Sequence, residues 1–222
     1  MENLKGSSKK LKIVLWGATG LTGKEILSQA LDAGHKVKVI VRNPDMINVE
    51  YANLTVVKGD VLNTQLVEEV IGGCDVVISA IGTGTSFSKA RKPTTLYSEG
   101  LKNIVTAMRK HKIKRFVTLL SVGTIPDPNE ALVHKIMIRP MLKGTYDDMR
   151  RAESFLAKCE DIDWTGIRPL RLNNKPRTGK YRIAKDILPP NGVNISRADV
   201  AEFMLKQMDS EDFIREYATI AD

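Results

Sequence analysis

The residues that decide the fold are 11–23, which read Leu-Lys-Ile-Val-Leu-Trp-Gly-Ala-Thr-Gly-Leu-Thr-Gly. A short apolar run at 11–16 predicts a buried strand, and a glycine-rich turn follows it directly. A helix is expected to begin at once, because the next apolar side chains share one helical face: Ile26, Leu27, Ala30 and Leu31. Gly34 can end that helix in a left-handed conformation, and 37–41 is a second apolar strand. The opening of the chain therefore predicts a β-α-β unit.

The alternation of strands and helices continues along most of the chain. Further strands are predicted at 54–57, 75–79, 116–120 and 164–167, and helices at 64–71, around 101–108 and at 146–158. Because the strands are too far apart for hairpins, we expect a parallel sheet with right-handed crossovers. This is a doubly wound α/β domain over residues 11–222, preceded by a flexible tail at 1–10.

The segment 169–195 interrupts this rhythm with proline, glycine and asparagine residues. We expect an irregular lid there, over the carboxyl ends of the strands. Ser196 and Asp199 then have the spacing of a capping box, which predicts a last helix.

Composition limits the functional classes. The 222 residues are 42% hydrophobic, enough for one large α/β core, and no apolar run is long enough to cross a membrane. We therefore expect a cytoplasmic protein that does not bind membranes, and most simply a monomer. Two cysteines, Cys74 and Cys159, lack the spacing of a zinc site, so no metal is expected.

The net charge of +8 is unevenly distributed. Seven basic residues and no acidic ones occur between 168 and 185: Arg168, Arg171, Lys175, Arg177, Lys180, Arg182 and Lys185. Such a run indicates either a solvated basic face or a site for an anionic ligand. Nucleic acid is not an expected partner, because only 5% of the chain is aromatic and the basic residues do not alternate with aromatic ones.

The glycine-rich turn predicts a dinucleotide site. Gly17 would let the chain leave the strand sharply, Gly20 would let backbone N–H groups approach a phosphate, and Gly23 would let the helix lie close to the sheet. The helix N-terminus adds partial positive charge at the same place. We therefore expect the pyrophosphate to bind at these residues: Gly17, Thr19, Gly20, Leu21, Thr22 and Gly23.

The ends of the following strands predict the rest of the cofactor site. An NAD-preferring site usually has an acidic residue after the second strand, but this chain has Arg42 and Asn43, which suit the 2′-phosphate of NADP(H). Asp60 and Val61, after the third strand, are expected beside the adenine. After the fourth strand, small residues offer a surface on which the ribose and nicotinamide could lie flat, and the residues expected there are Ala80, Ile81 and Gly82.

These motifs, together with 163–169 (Asp-Trp-Thr-Gly-Ile-Arg-Pro) and 93–105, resemble the atypical short-chain dehydrogenases that include NmrA-like and flavin-reductase members. The resemblance is greatest to the branch containing biliverdin-IXβ reductases, which are also NADPH-dependent flavin reductases. It implies a Rossmann fold and hydride transfer to a planar acceptor, either a flavin such as FMN or riboflavin or an open-chain tetrapyrrole. Ser121 matches the active-site serine of that family.

This chain differs from the family at residues that would contact the acceptor, so the identity of the acceptor stays open. Arg171 stands where the family has a histidine, and it is a candidate for binding a flavin phosphate or tetrapyrrole propionates. Ordinary short-chain dehydrogenases use a tyrosine with a lysine four residues later. Tyr181 and Lys185 have that spacing, but in a segment expected to be extended, where they would lie too far apart. Tyr146 is a candidate catalytic residue on a helix, although its partner by spacing is Arg150.

Three functions are compatible with these observations. The first is an NADPH-dependent reductase of flavins or related planar acceptors. The second is an NmrA-like regulator that binds NADP(H) without turnover, and the third is an epimerase or dehydratase of nucleotide sugars. The missing tyrosine-lysine pair argues against an alcohol dehydrogenase but not against flavin reduction, in which the new charge is delocalised over a ring system.

Overall fold

A computed structural model of the protein describes residues 9–84, 92–125, 136, 139–190 and 192–222. Most of the predicted tail, residues 1–8, lies outside the described residues. The structure confirms the expected α/β fold with a mostly parallel central sheet. No helix in the described ranges is long and apolar enough to cross a membrane.

The central sheet has eight strands. In chain order its parallel strands are β1 (Lys12–Trp16), β2 (Lys36–Val41), β3 (Leu54–Lys58), β4 (Val76–Ser79), β5 (Arg115–Leu119), β6 (Asp163–Pro169) and β10 (Glu216–Ala221), with β8 (Arg182–Lys185) antiparallel at one edge. Their spatial order is β3-β2-β1-β4-β5-β6-β10-β8. The winding direction reverses between β1 and β4, which is where sheets of this kind bind ligands.

Helices cover both faces of the sheet. In the described ranges the α-helices are α1 (Leu21–Asp32), α2 (Thr64–Ile71), α3 (Leu96–Lys110), α4 (Arg139–Met141), α5 (Lys143–Leu156) and α6 (Arg197–Lys206). One apolar cluster joins α1 and α6 to the sheet, and a second joins α2, α3 and α5 to the opposite face. Both faces of the inner strands are therefore buried, which explains why those strands read as continuous apolar runs in the sequence.

Two predicted local signals are confirmed. Gly34 has a φ of +77° after α1, as expected for a left-handed residue at a helix end. The Ser196 hydroxyl accepts a hydrogen bond from the Asp199 N–H at 2.9 Å at the start of α6. Both signals depend only on residues close in sequence, so tertiary packing has little opportunity to override them.

The predicted irregular segment is more ordered than expected. It contains β8, and also β7 (Arg171–Asn173) and β9 (Asn194–Ser196), which form a separate parallel pair. The sequence also failed to predict β10, which inserts between β6 and β8. These strands are short or lie at the end of the chain, and their pairing connects residues far apart in sequence, so local pattern gives little sign of them.

The basic run at 168–185 is not a uniform solvated face. Arg168 is buried and pairs with Glu153 at 2.9 Å. Lys185 pairs with Glu216, and Arg182 donates to the carbonyl of Asp222. The alternative of a solvated basic face is therefore wrong for Arg168, whereas Arg182 and Lys185 are exposed.

Candidate active site

The glycine turn is held tightly against β4 and α1. Gly17 has a φ of +83°, and a methyl group there would lie 2.2 Å from the carbonyl oxygen of Ala80. A methyl group at Gly23 would lie 2.0 Å from the carbonyl oxygen of Gly17. Both positions therefore require glycine for packing. They hold the turn at the point where the sheet winding reverses.

Gly20 is different, because packing does not demand a glycine there. It is exposed and has ordinary extended backbone angles. Among the described residues, an added methyl group would have one atom within 4 Å, the Gly17 carbonyl oxygen at 3.3 Å. The open side of the turn faces solvent beyond β1. A residue without a side chain at that point leaves room for a ligand to reach the backbone.

The N-terminus of α1 is available to an anion. No side chain caps it, and its first turn contains no acidic residue. Among the other helices, α2 and α6 are capped by Asn63 and Ser196, whereas α3 and α5 also lack a side-chain cap, so what distinguishes α1 is the glycine turn directly before it. The first N–H groups of α1 and its dipole therefore point towards a site that suits a diphosphate. With the glycine turn, this arrangement fits the pyrophosphate of a dinucleotide.

Two cationic side chains lie at the adjacent strand ends. Arg42 follows β2 directly, and Lys58 ends β3 opposite Val41 in the strand register. Both are exposed, and neither forms an ion pair within the described part of the chain. Asn43 is partly occupied, since its side-chain oxygen accepts from the Asp45 N–H at 3.2 Å. Lys58 was not singled out from the sequence, because a basic residue at a strand end is too common to be a signal.

Asp60 and Val61 lie beyond the end of β3. One Asp60 carboxylate oxygen accepts from the Leu62 N–H at 3.0 Å, which shapes a tight turn. Val61 is buried, and its carbonyl accepts from the Asn103 side chain at 3.0 Å. The turn is thus anchored to α3 and fixed in position. The predicted contacts with adenine remain a prediction.

The segment after β4 forms a wall of the site. Ala80 and Ile81 are buried, whereas Gly82 is exposed. The Tyr97 hydroxyl lies 3.6 Å from where a Gly82 methyl group would be. Burial raises the pKa of Tyr97 to about 12, an effect that nearby Thr83 partly offsets. This phenol therefore keeps its proton at neutral pH.

Several hydroxyl groups gather near this wall. The Thr83 and Thr145 hydroxyls are 3.5 Å apart and connect the end of β4 to α5. Tyr146 is next to Thr145 and is close enough to Tyr97 to raise its pKa slightly. Tyr97 was missed as a site residue, because in the sequence it appears only as one apolar position on the face of a helix.

Ser121 and Tyr146 are brought to the same place by the turn after β5. The Ser121 hydroxyl accepts from the Gly123 N–H at 3.2 Å. A methyl group at Gly123 would lie 2.6 Å from the Tyr146 hydroxyl oxygen, so the phenol packs directly on this turn. The two candidate catalytic residues, one from β5 and one from α5, therefore lie on the same rim of the crevice.

Neither of the two sequence segments with the tyrosine-lysine spacing forms the catalytic pair of an ordinary short-chain dehydrogenase. Tyr181 is followed by a strand, as expected, and Lys206 donates to its hydroxyl at 3.2 Å. Lys185 is engaged elsewhere. Tyr146 and Arg150 are on one helix, but the Arg150 guanidinium pairs with Asp147 at 2.5 Å.

Arg171 lies at the start of β7, just beyond the carboxyl end of β6. It is exposed, and its side chain has no ion-pair partner among the described residues. Its position at the carboxyl edge agrees with a role in holding an anionic ligand. That role stays a prediction.

The winding reversal, the glycine turn and the uncapped helix define a Rossmann-type dinucleotide-binding protein. The chain belongs to the NAD(P)H-binding family, whose sequence profile matches residues 17–211. Membership of this family implies a nicotinamide cofactor but does not distinguish NADP from NAD.

Individual relatives agree with an oxidoreductase-like family that also has epimerase neighbours. The chain is 25% identical to the reductase pytE of Aspergillus terreus, in an alignment that covers 96% of this chain and 97% of the relative. A protein of Bacteroides thetaiotaomicron, proposed to be an epimerase, is 30% identical with a TM-score of 0.77, covering 96% of this chain and 97% of the other. A protein of Streptococcus pneumoniae, proposed to be an NADH-flavin reductase, shares the fold at 21% identity with a TM-score of 0.75, covering 96% and 99%.

Proposed function

We propose that this protein is an NADPH-dependent reductase that passes a hydride to a planar acceptor, either a flavin such as FMN or riboflavin or an open-chain tetrapyrrole. The observation that carries the proposal is the meeting, at one crevice, of an open phosphate turn and a cluster of hydroxyl groups around Ser121 and Tyr146. The phosphate turn supports cofactor binding. The hydroxyl cluster, also at the carboxyl ends of the strands, supports an acceptor site beside it.

The preference for NADPH rests on charge. Arg42 and Lys58 offer two exposed cations on neighbouring strand ends. A ribose 2′-phosphate carries negative charge and strong acceptor oxygens, which suit the Arg42 guanidinium, and Lys58 adds positive charge to the neighbouring strand end. No carboxylate stands directly after β2, where one would bind the free ribose hydroxyls of NAD.

When bound, the nicotinamide supplies a hydride. The role of the protein is to hold the nicotinamide ring against the planar acceptor and to exclude water. Ser121 and Tyr146 hold hydroxyl groups on the rim, and buried Tyr97 keeps its proton beside Gly82. Since Arg150 is paired with Asp147, it does not replace the lysine of an ordinary short-chain dehydrogenase. An acceptor that delocalises the incoming charge has less need of that lysine.

Arg171 supports an acceptor that carries an anionic group. A flavin phosphate or a tetrapyrrole propionate could pair with it at the carboxyl edge of the sheet. Riboflavin has no phosphate. A comparison of FMN with riboflavin therefore tests this contact directly.

The test mixes the purified protein with NADPH and with FMN, riboflavin or biliverdin in turn, and follows the nicotinamide absorbance. We expect turnover above the rate of the same mixture without protein, and faster turnover with NADPH than with NADH. Tight NADPH binding without turnover on any of these acceptors would favour a sensor of the NmrA type. Interconversion of nucleotide sugars without net NADPH consumption would favour an epimerase.

A further inference from the structure

We propose that Thr124 and Glu153 are positioning residues that hold the turn bearing Ser121 in its working geometry. This inference rests on the proposed function, because it concerns the same site. The two residues form a buried hydrogen-bonded network behind the turn, and neither is expected to touch cofactor or acceptor.

The Thr124 hydroxyl lies at the centre of the network. It lies 2.9 Å from the carbonyl oxygen of Ser121 and 2.9 Å from Oε1 of Glu153. Thr124 is buried, with 6% of its surface exposed. Both oxygens are acceptors, so the one proton of the Thr124 hydroxyl is shared between the backbone carbonyl of Ser121 and the Glu153 carboxylate on α5.

Glu153 is held from the other side. The same Oε1 accepts from Nε of Arg168 at 2.9 Å, and both residues are buried. Arg168 in turn lies over the Tyr217 ring, with its guanidinium carbon 3.8 Å from the ring centroid. Tyr217 also donates its hydroxyl to the carbonyl of Glu153 at 2.8 Å. A buried carboxylate with this many partners has little freedom to move.

The geometry connects this network to both candidate catalytic groups. Glu153 and Tyr146 are seven residues apart on α5, which is about two helical turns and places them on the same side of the helix. Tyr146 packs on Gly123, which lies between Ser121 and Thr124. A turn released from Glu153 would therefore change the position of Ser121 relative to Tyr146. A misplacement of about 1 Å at a reacting group can lower a rate on the order of 100-fold. Because the network lies behind the turn and away from the phosphate turn, we expect binding of the cofactor to be unaffected.

The test compares Thr124→Val, which removes the hydroxyl at nearly constant shape, with Thr124→Ser, which keeps it. Thr165→Val is the matched control. The Thr165 hydroxyl is also buried and makes two hydrogen bonds, to Phe213 and Arg115, in another part of the core. We expect Thr124→Val to lower kcat about tenfold or more, with the NADPH Kd unchanged. Thr124→Ser should recover most of the rate, and Thr165→Val should lower only the melting temperature.

A second readout does not depend on turnover. Hydrogen exchange at residues 121–125 should become faster in Thr124→Val than in Thr124→Ser or Thr165→Val, because the turn loses its anchor. If wild type fails to turn over but exchange responds in this way, the proposed function is wrong and the positioning network stands. If Thr124→Val matches wild type in both kcat and exchange, or if Thr165→Val lowers kcat equally, the network has no positioning role. Should Thr124→Val fail to fold, Thr124→Ala makes the same comparison without adding a methyl group in place of the hydroxyl.

Discussion

Substitution of single glycines in the phosphate turn separates binding from folding. Gly20→Ala places a methyl group on the open side of the turn, where backbone angles of −73° and 161° suit alanine as well as glycine. The free energy of unfolding should therefore fall by about 1 kcal/mol or less, the cost of alanine at a helix N-cap. The methyl group obstructs the approach of a phosphate to the backbone N–H groups. Loss of charge-assisted hydrogen bonds of about 1.5–3 kcal/mol corresponds to a roughly 10- to 100-fold weaker Kd for NADPH.

Gly17→Ala should mainly lower the free energy of unfolding, in contrast to Gly20→Ala, which should mainly weaken NADPH binding. The new side chain meets the Ala80 carbonyl oxygen at 2.2 Å, and the φ of +83° disfavours any residue but glycine. Left-handed strain of about 1–2 kcal/mol and overpacking of about 1–3 kcal/mol together predict about 2–5 kcal/mol of lost stability. Gly34→Ala, also at positive φ but after the far end of α1, is the control.

Isothermal titration with NADPH and thermal unfolding of each variant measure the two effects. The expected pattern is weak binding with a nearly normal melting temperature for Gly20→Ala. For Gly34→Ala we expect normal binding with a lowered melting temperature. An unchanged NADPH Kd in folded Gly20→Ala would refute the argument that this turn receives the diphosphate.

Three further predictions concern charge and pH. Arg42→Asp should shift the ratio of kcat/KM values from NADPH towards NADH by about tenfold or more, because repulsion replaces a charge-assisted contact with the 2′-phosphate. An unchanged ratio in steady-state assays would show that Arg42 does not bind the 2′-phosphate. Arg171→Ala should raise the KM for FMN more than the Kd for NADPH and leave the KM for riboflavin nearly unchanged, and equal losses for FMN and riboflavin would contradict the assignment. Burial, followed by the charge of Lys10, lowers the pKa of His35, whose Nδ1 accepts from the Leu11 N–H at 3.1 Å and must be unprotonated to do so. As the pH falls, the imidazole is therefore protonated in the unfolded chain before it is protonated in the folded one, so stability present above about pH 6.5 should be lost. The melting temperature of His35→Gln should depend less on pH between about pH 7.5 and 5.5 than that of wild type.

The local part of the site was predictable because it depends on neighbours in sequence. The glycine turn, the strand before it and the helix after it follow from residues 11–34, where Gly17 and Gly34 have positive φ and Gly17 and Gly23 lie against backbone carbonyl groups. Arg42 and Ser121 were also placed correctly at strand ends, because in a parallel sheet the end of every apolar run reaches the same edge. Their roles toward ligands remain predictions.

What the sequence by itself determined, then, is the doubly wound order of elements and the position of the phosphate turn. Apolar runs, glycines and capping residues are local signals that act through the backbone. Only the tertiary structure decided that Tyr97 stands beside Gly82, that Lys58 lies opposite Val41 at the end of the neighbouring strand, and that Arg168 is buried against Glu153. Those pairings join residues from different strands and helices. Their physical cause is packing and charge compensation between distant segments, which a linear pattern does not contain.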